Sequence, residues 1–325
     1  MKGPALVATL VGTALAVTLL VGNDLERIGL ILLGAKWSIL LVVALHLPQS
    51  LAATMGWARL LGRPTPGLWL LYRLRWIRDS VNSLLPVARV GGDLIRIRLL
   101  AVGDTSVTAA AASIVADISI ELSTQIIFTL GAVILLVDGP HSGDPVPLGI
   151  AAVAGSVLAM MLLYAAQRLG LFRLIERLAA RGGGWHGLGK LAGLHESLMA
   201  LYRQPRRMLF SGAYHLLAWM LGGLETYFAL RISGVAAGAR EAIVIEALGH
   251  AARAAGFLIP GALGVQEGGY LLVCAMFGIG PQVALALSLI RRARELILGL
   301  PGLFVWHRME VRARAAFSRN PECAP

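Results

Sequence analysis

The chain has 325 residues, of which 57% are hydrophobic and 14% charged, and its mean hydropathy is +0.73. Soluble domains carry about 25% charged residues, so composition argues against a soluble fold and for a helical membrane bundle. The net charge of +11 comes without a basic-and-aromatic nucleic-acid signature, and nucleic acid is not expected as a partner.

In chain order, the first apolar run predicts a span over 5–22. It exceeds the roughly 7–15 residues of a signal-peptide core, and no clear cleavage site follows. After the turn "NDLER", a second span covers 28–47 and ends before Pro48. Segment 57–104 mixes eight arginines with Trp69, Trp76 and many leucines, and reads as amphipathic helices at the cytoplasmic interface. A long apolar helix is expected over 106–137, an external loop over 138–147 and a span over 148–166. Residues 168–207 are basic around "RGGGWHG" and predict cytoplasmic amphipathic helices. Further helices follow at 208–231, 241–259, 266–279 and 282–306.

Assigned cytoplasmic segments hold 21 of the 29 Lys and Arg residues and external loops hold 3, with 5 inside helices. That asymmetry places both termini in the cytoplasm. Cys274 and Cys323 are too few and too far apart for a disulfide framework or a metal site. The seven histidines form no metal-ligand or triad spacing, so no cofactor and no catalytic residue are assigned.

Two stretches break the apolar pattern in the same way: "LLPVARVGGDLIRIR" (84–98) and "LIPGALGVQEGGYLL" (258–272). Pro86 and Pro260 lie 174 residues apart, and each precedes an acid, Asp93 or Glu267, by seven residues. The same shift places Glu121 on Glu295. Proline removes a helix hydrogen bond, and broken helices survive in a bilayer only where protein or water covers them. Transporters carry such interruptions at corresponding positions of an internal repeat, around the substrate site.

The expected fold is therefore an all-α polytopic transmembrane bundle. It has two re-entrant, broken-helix hairpins in an internal repeat, with cores 67–137 and 241–306 linked by 168–207. The integral membrane domain covers 1–310, with a basic cytoplasmic tail over 311–325. Asn82, Pro86, Gly91, Gly92 and Asp93 would shape one break, and Pro260, Gly264, Gln266 and Glu267 the other, with Asp93 expected near the Glu267 region.

Asp117, Glu121 and Gln125 share one helix face at four-residue spacing. Charges at a bilayer centre cost at least about 2.5 kcal/mol, so these acids must meet protein, water or cations. Arg291, Arg294 and Glu295 on the last long helix, with Glu246, His250 and Arg253 on one face of the helix over 241–259, complete a polar path. Guanidinium groups there suit a phosphate headgroup.

The segments "WIRDSVNSLLPVARVGGDLIRIRLL", "DISIELSTQIIF", "PGALGVQEGG" and "ALSLIRRARELILGLPGL" resemble the flippase-like transmembrane region of lysylphosphatidylglycerol synthases. The resemblance extends to the hopanoid-biosynthesis-associated branch called HpnL and covers nearly the whole chain. It implies a bacterial inner-membrane protein that translocates or handles a lipid, a hopanoid or an anionic phospholipid. The aminoacyl-transferase domain that follows this region in full-length synthases is not in the sequence. Two alternatives stay open. One is a non-catalytic partner of hopanoid-pathway enzymes acting through 168–207. The other is a membrane transferase using Asp93 or Glu267 as a general base.

Overall fold

A computed structural model describes residues 2–62, 64–85, 91–102, 105–139, 144, 146–168, 193–256 and 259–319. Among these residues the secondary structure is helical throughout, with no strand. In chain order the helices are α1 (Lys2–Val21), α2 (Leu25–Ala35), α3 (Ile39–Ala58), α4 (Leu68–Leu84), α5 (Gly91–Ala101), α6 (Val107–Val137) and α7 (Val146–Arg168). They continue with α8 (Leu194–Tyr202), α9 (Pro205–Ile232), α10 (Ala239–Ala255), α11 (Val265–Ala275) and α12 (Pro281–Arg319).

Local chemistry sets the helix starts. Asp24 accepts from the Arg27 amide at 3.0 Å and Ser106 from the Ala109 amide at 3.2 Å, satisfying donors that a helix start leaves orphaned. Two stretches, Leu25–Ala58 and Val107–Val137, are long and apolar enough to cross a membrane. The first contains a short 3₁₀ turn at Lys36–Ser38 between α2 and α3. The helix expected to stop before Pro48 runs on to Ala58, because neighbouring helices can cover the backbone groups that a proline leaves unpaired.

α3 and α9 form the central crossing. Gly56 lies against Ser211 and His215, whereas Gln49 lies against Gly222, so the two helices run antiparallel. Two apolar cores flank them. One gathers Trp57, Leu71, Leu74, Ile77, Leu99, Leu100 and Ile114, from the end of α3 through α6. The other gathers Leu230, Val244, Ile245, Leu248, Tyr270, Val273, Leu287 and Ile290, from α9 to α12. Four element boundaries recur at one spacing of 174 residues: the ends of α3 and α9 (58, 232), both ends of α5 and α11 (91, 265; 101, 275), and the starts of α6 and α12 (107, 281).

α4, expected at the interface, is instead built into the bundle. Leu71, Leu74, Arg75, Ile77, Ser80 and Val81 are buried, and α4 packs on α12, α5 and α3. Trp76 Nε1 donates to the Leu298 carbonyl at 2.8 Å. Three arginines of segment 57–104, Arg75, Arg78 and Arg96, are consequently inside the protein rather than at a cytoplasmic face. Pro86 lies outside the described residues, as do 169–192 of the basic segment. The turn Pro260–Ala262 packs against the C-terminal end of α4, where Gly261 approaches the Ser83 carbonyl. The chain entering the first break thus meets the second. α12 continues past 310 as helix to Arg319.

α5 starts where it does because Gly92 has no side chain. Its amide donates to Asn82 Oδ1 at 2.8 Å, and a Cβ there would collide with the Arg78 backbone carbonyl. Gly268 on α11 faces open space. Gly92→Ala is expected to destabilise the protein by about 1–3 kcal/mol through overpacking, while Gly268→Ala leaves stability unchanged or raises it. Thermal unfolding of the two variants in detergent checks this contrast.

Candidate functional site

Two ion-pair clusters occupy the interior. The first joins α4, α5, α6 and α9. Arg75 reaches Asp117 and Glu121, each at 3.3 Å. Arg78 reaches Asp93 at 3.0 Å and Glu121 at 3.3 Å. Arg96 bridges Asp117 at 3.1 Å and Asp93 at 3.2 Å. His215 Nε2 lies 2.9 Å from the second Asp117 oxygen. Asp117 and Arg96 are fully buried. Arg96 also lies over the Trp57 ring, 4.4 Å from its centroid, a position that stabilises a guanidinium by cation–π attraction.

The second cluster joins α3, α9, α10, α11 and α12. Arg291 pairs with Glu246 and Thr226, Arg294 with Glu225, and Arg253 with Glu295. Arg292 holds Glu267 at 2.7 Å. Glu267 also accepts from Ser288 Oγ at 3.0 Å and from the Gly264 amide at 2.7 Å, which caps α11. His46 and His250 each stand 3.1 Å from a carboxylate, Glu225 and Glu246.

The clusters correspond across the 174-residue shift. Glu121 and Glu295 occupy matched positions, and each pairs with an arginine of the helix that precedes the break, Arg78 or Arg253. Asp117 and Arg291 are also matched, but with opposite charge. Asp117 on α6 meets Arg75 of α4, whereas Arg291 on α12 meets Glu246 of α10.

A cavity of about 1240 Å³ lies between the clusters. Arg75, Arg78 and Glu121 line it from the first, and Arg253, Arg294 and Glu295 from the second. His46, Gln125, His215 and His250 lie along it. Its border includes Leu68 and Trp69, which are exposed. Its wall combines these paired charges with a larger apolar surface that includes Leu51, Trp76, Ile118, Leu122 and Trp219, the two chemistries of an amphiphile.

The residues singled out from sequence divide into two groups. Asn82, Glu121, Gln125, Arg294 and Glu295 line the cavity. Asp93 and Asp117 stand behind it and hold lining arginines, while Arg291, Gln266 and Glu267 are buried in the supporting shell. Gly91, Gly92, Pro260 and Gly264 belong to the helix starts at the two breaks. Asp93 binds Arg78 and Arg96, and Glu267 binds Arg292. Sequence reasoning missed Arg75, Arg78, Arg96, His46 and His215. Among the described residues no group of His, Cys, Asp and Glu has the arrangement of a metal site.

Long apolar helices folded around paired charges define a membrane protein with a polar interior. The family described as "Lysylphosphatidylglycerol synthase TM region" matches residues 5–302, and the chain belongs to that family, which ties it to membrane-lipid function. No curated protein and no solved structure matches the chain.

Removing one partner of a buried pair leaves an uncompensated charge, at a cost of about 3–5 kcal/mol. Asp117→Asn, which removes one of the two acids from each of Arg75 and Arg96 and the acid of His215, is expected to lose that much stability. Arg98→Gln, which breaks a pair with Glu310 from a half-exposed side chain, is expected to lose less than about 1 kcal/mol. Equal losses in a denaturation series would contradict the ranking.

Proposed function

We propose that this protein translocates or handles a membrane lipid, holding the polar headgroup in the cavity between the two ion-pair clusters while the acyl chains stay in the bilayer. The observation that carries this reading is the charge-lined chamber of about 1240 Å³ bordered by Leu68 and Trp69. Its volume is above the roughly 300–1,000 Å³ of small-molecule pockets, and a headgroup with its glycerol or polyol fits such a space.

The half running from α3 to α6 and the half from α9 to α12 form an inverted repeat. The antiparallel crossing of α3 and α9, the boundaries at constant spacing and the matched Glu121 and Glu295 pairs all support it. The Pro260–Ala262 turn packs on the C-terminal end of α4, where the chain enters the first break, and this supports reading the breaks as a re-entrant pair. Inverted repeats of this kind place a substrate site at their interface and alternate its access. The bundle is polytopic in a bacterial inner membrane with both termini in the cytoplasm. The lipid is a hopanoid or an anionic phospholipid, in keeping with the hopanoid-associated branch that the sequence resembles.

Leaflet transfer of labelled lipids in proteoliposomes tests the function. Wild-type protein is expected to move lipid faster than empty liposomes. Glu121→Gln and Arg253→Gln are each expected to slow transfer by roughly tenfold, the effect of losing about 1.4 kcal/mol. Folded wild-type protein that gives no transfer above empty liposomes would contradict the reading.

A further inference from the structure

Three histidines line the cavity beside carboxylates, and they are not equivalent. His215 and His250 engage their acids through Nε2, and His250 also meets the edge of Trp219 with ring centroids 5.0 Å apart. His46 on α3 is held by its other nitrogen. Nδ1 lies 3.0 Å from Gln49 Oε1 and 3.1 Å from Glu225 Oε2. The Glu225 carboxylate can only accept, so Nδ1 carries a hydrogen, and in the neutral ring Nε2 then holds the lone pair. The Glu225 carboxylate fixes the orientation of the ring. The His46 side chain is 21% exposed and lines the cavity.

The charges facing His46 decide what such a proton would do. On α9 and α12 they are Glu225 and its partner Arg294; on α10 and α12, Arg253 and its partner Glu295. Across the cavity, α4 and α6 present Arg75 and Arg78 against Asp79 and Glu121. Over the whole second cluster, four arginines (253, 291, 292, 294) meet four glutamates (225, 246, 267, 295). With neutral histidines this cluster is therefore balanced. An anion entering it would add one unmatched negative charge in a poorly solvated site, which is strongly unfavourable. A proton on His46 Nε2 restores the balance. Arg253 engages Glu295 through Nη1 alone, and its remaining donors can meet the anion.

We infer that the cavity takes up a phosphate-bearing anion together with a proton, and that His46 is the proton-binding group. This rests on the headgroup reading given above. The proton passes from water to the Nε2 lone pair, leaving an imidazolium between Glu225 and the bound phosphate. Transfer of the headgroup would then carry a proton with it and respond to a pH gradient.

Proton uptake on binding tests the inference directly. The intact protein, in phosphatidylcholine nanodiscs in weakly buffered solution near neutral pH, is titrated with short-chain phosphatidylglycerol or with dimethyl phosphate, both permanent monoanions there, while an indicator dye reports pH. Wild type is expected to take up as much as about one proton per anion bound. His46→Gln, whose amide can still donate to Glu225, is expected to bind more weakly and take up none. Uptake with the lipid alone assigns the site to a headgroup, and uptake with both anions assigns it to phosphate of either source. Binding by wild type without proton uptake, or undiminished uptake by His46→Gln, would overturn the inference and leave the headgroup reading standing. No binding of either anion would contradict an anionic headgroup, and this inference with it.

Discussion

An ionised side chain inside an apolar helix bundle has to be paired, and that requirement organises this protein. Isolated charges in such surroundings cost several kcal/mol each. The helices that carry Arg75, Arg96, Asp117, Glu246 and Arg291 must therefore approach in one register. Asp117 alone meets arginines of α4 and α5 and a histidine of α9, so its partners fix three helices against α6 at once. Apolar packing between membrane helices gives little such specificity, since lipid tails are as apolar as leucine. The ion pairs select the register, and the two apolar cores around Leu74 and Leu248 fill in around it.

The same pairing lets charged groups stand in the cavity wall without leaving it strongly charged. Lining arginines are each held by an acid, some of which stand behind the wall, as Asp93 and Asp117 do. These acids fix guanidinium orientation, which is the way supporting residues hold a binding site in geometry. Under the proposed repeat, the charge reversal at Asp117 and Arg291 keeps pairing rather than residue identity. A carboxylate on α6 with an arginine on α4 satisfies the same physical condition as an arginine on α12 with a carboxylate on α10.

Much of this was legible in the sequence, and the failures have physical causes. Helices α6, α9, α10 and α12 were visible as long apolar runs, and α5 and α11 were anticipated by matched proline, glycine and acid spacing. Asp117, Glu121, Arg294 and Glu295 stood out because charge in an apolar helix is conspicuous. Arg75 and Arg78 did not, because α4 also carries Arg73 and Asp79 and its composition resembles an interfacial helix. The usable signal was the run of Leu71, Leu74, Ile77 and Val81, now buried, at three- and four-residue spacing beside those arginines. His46 and His215 were missed because their partners, Glu225 and Asp117, are 179 and 98 residues away. Only tertiary structure brings them together.

The central claim is that the space between the clusters holds a lipid headgroup. Structure determination in nanodiscs made from the host membrane's own lipids tests it most directly. The account predicts headgroup density between Arg78 and Arg253, within hydrogen-bonding reach of Arg253 and Arg294, with acyl chains leaving past Leu68 and Trp69. A cavity closed by packed side chains, or filled by an acyl chain with the headgroup outside it, would contradict the account.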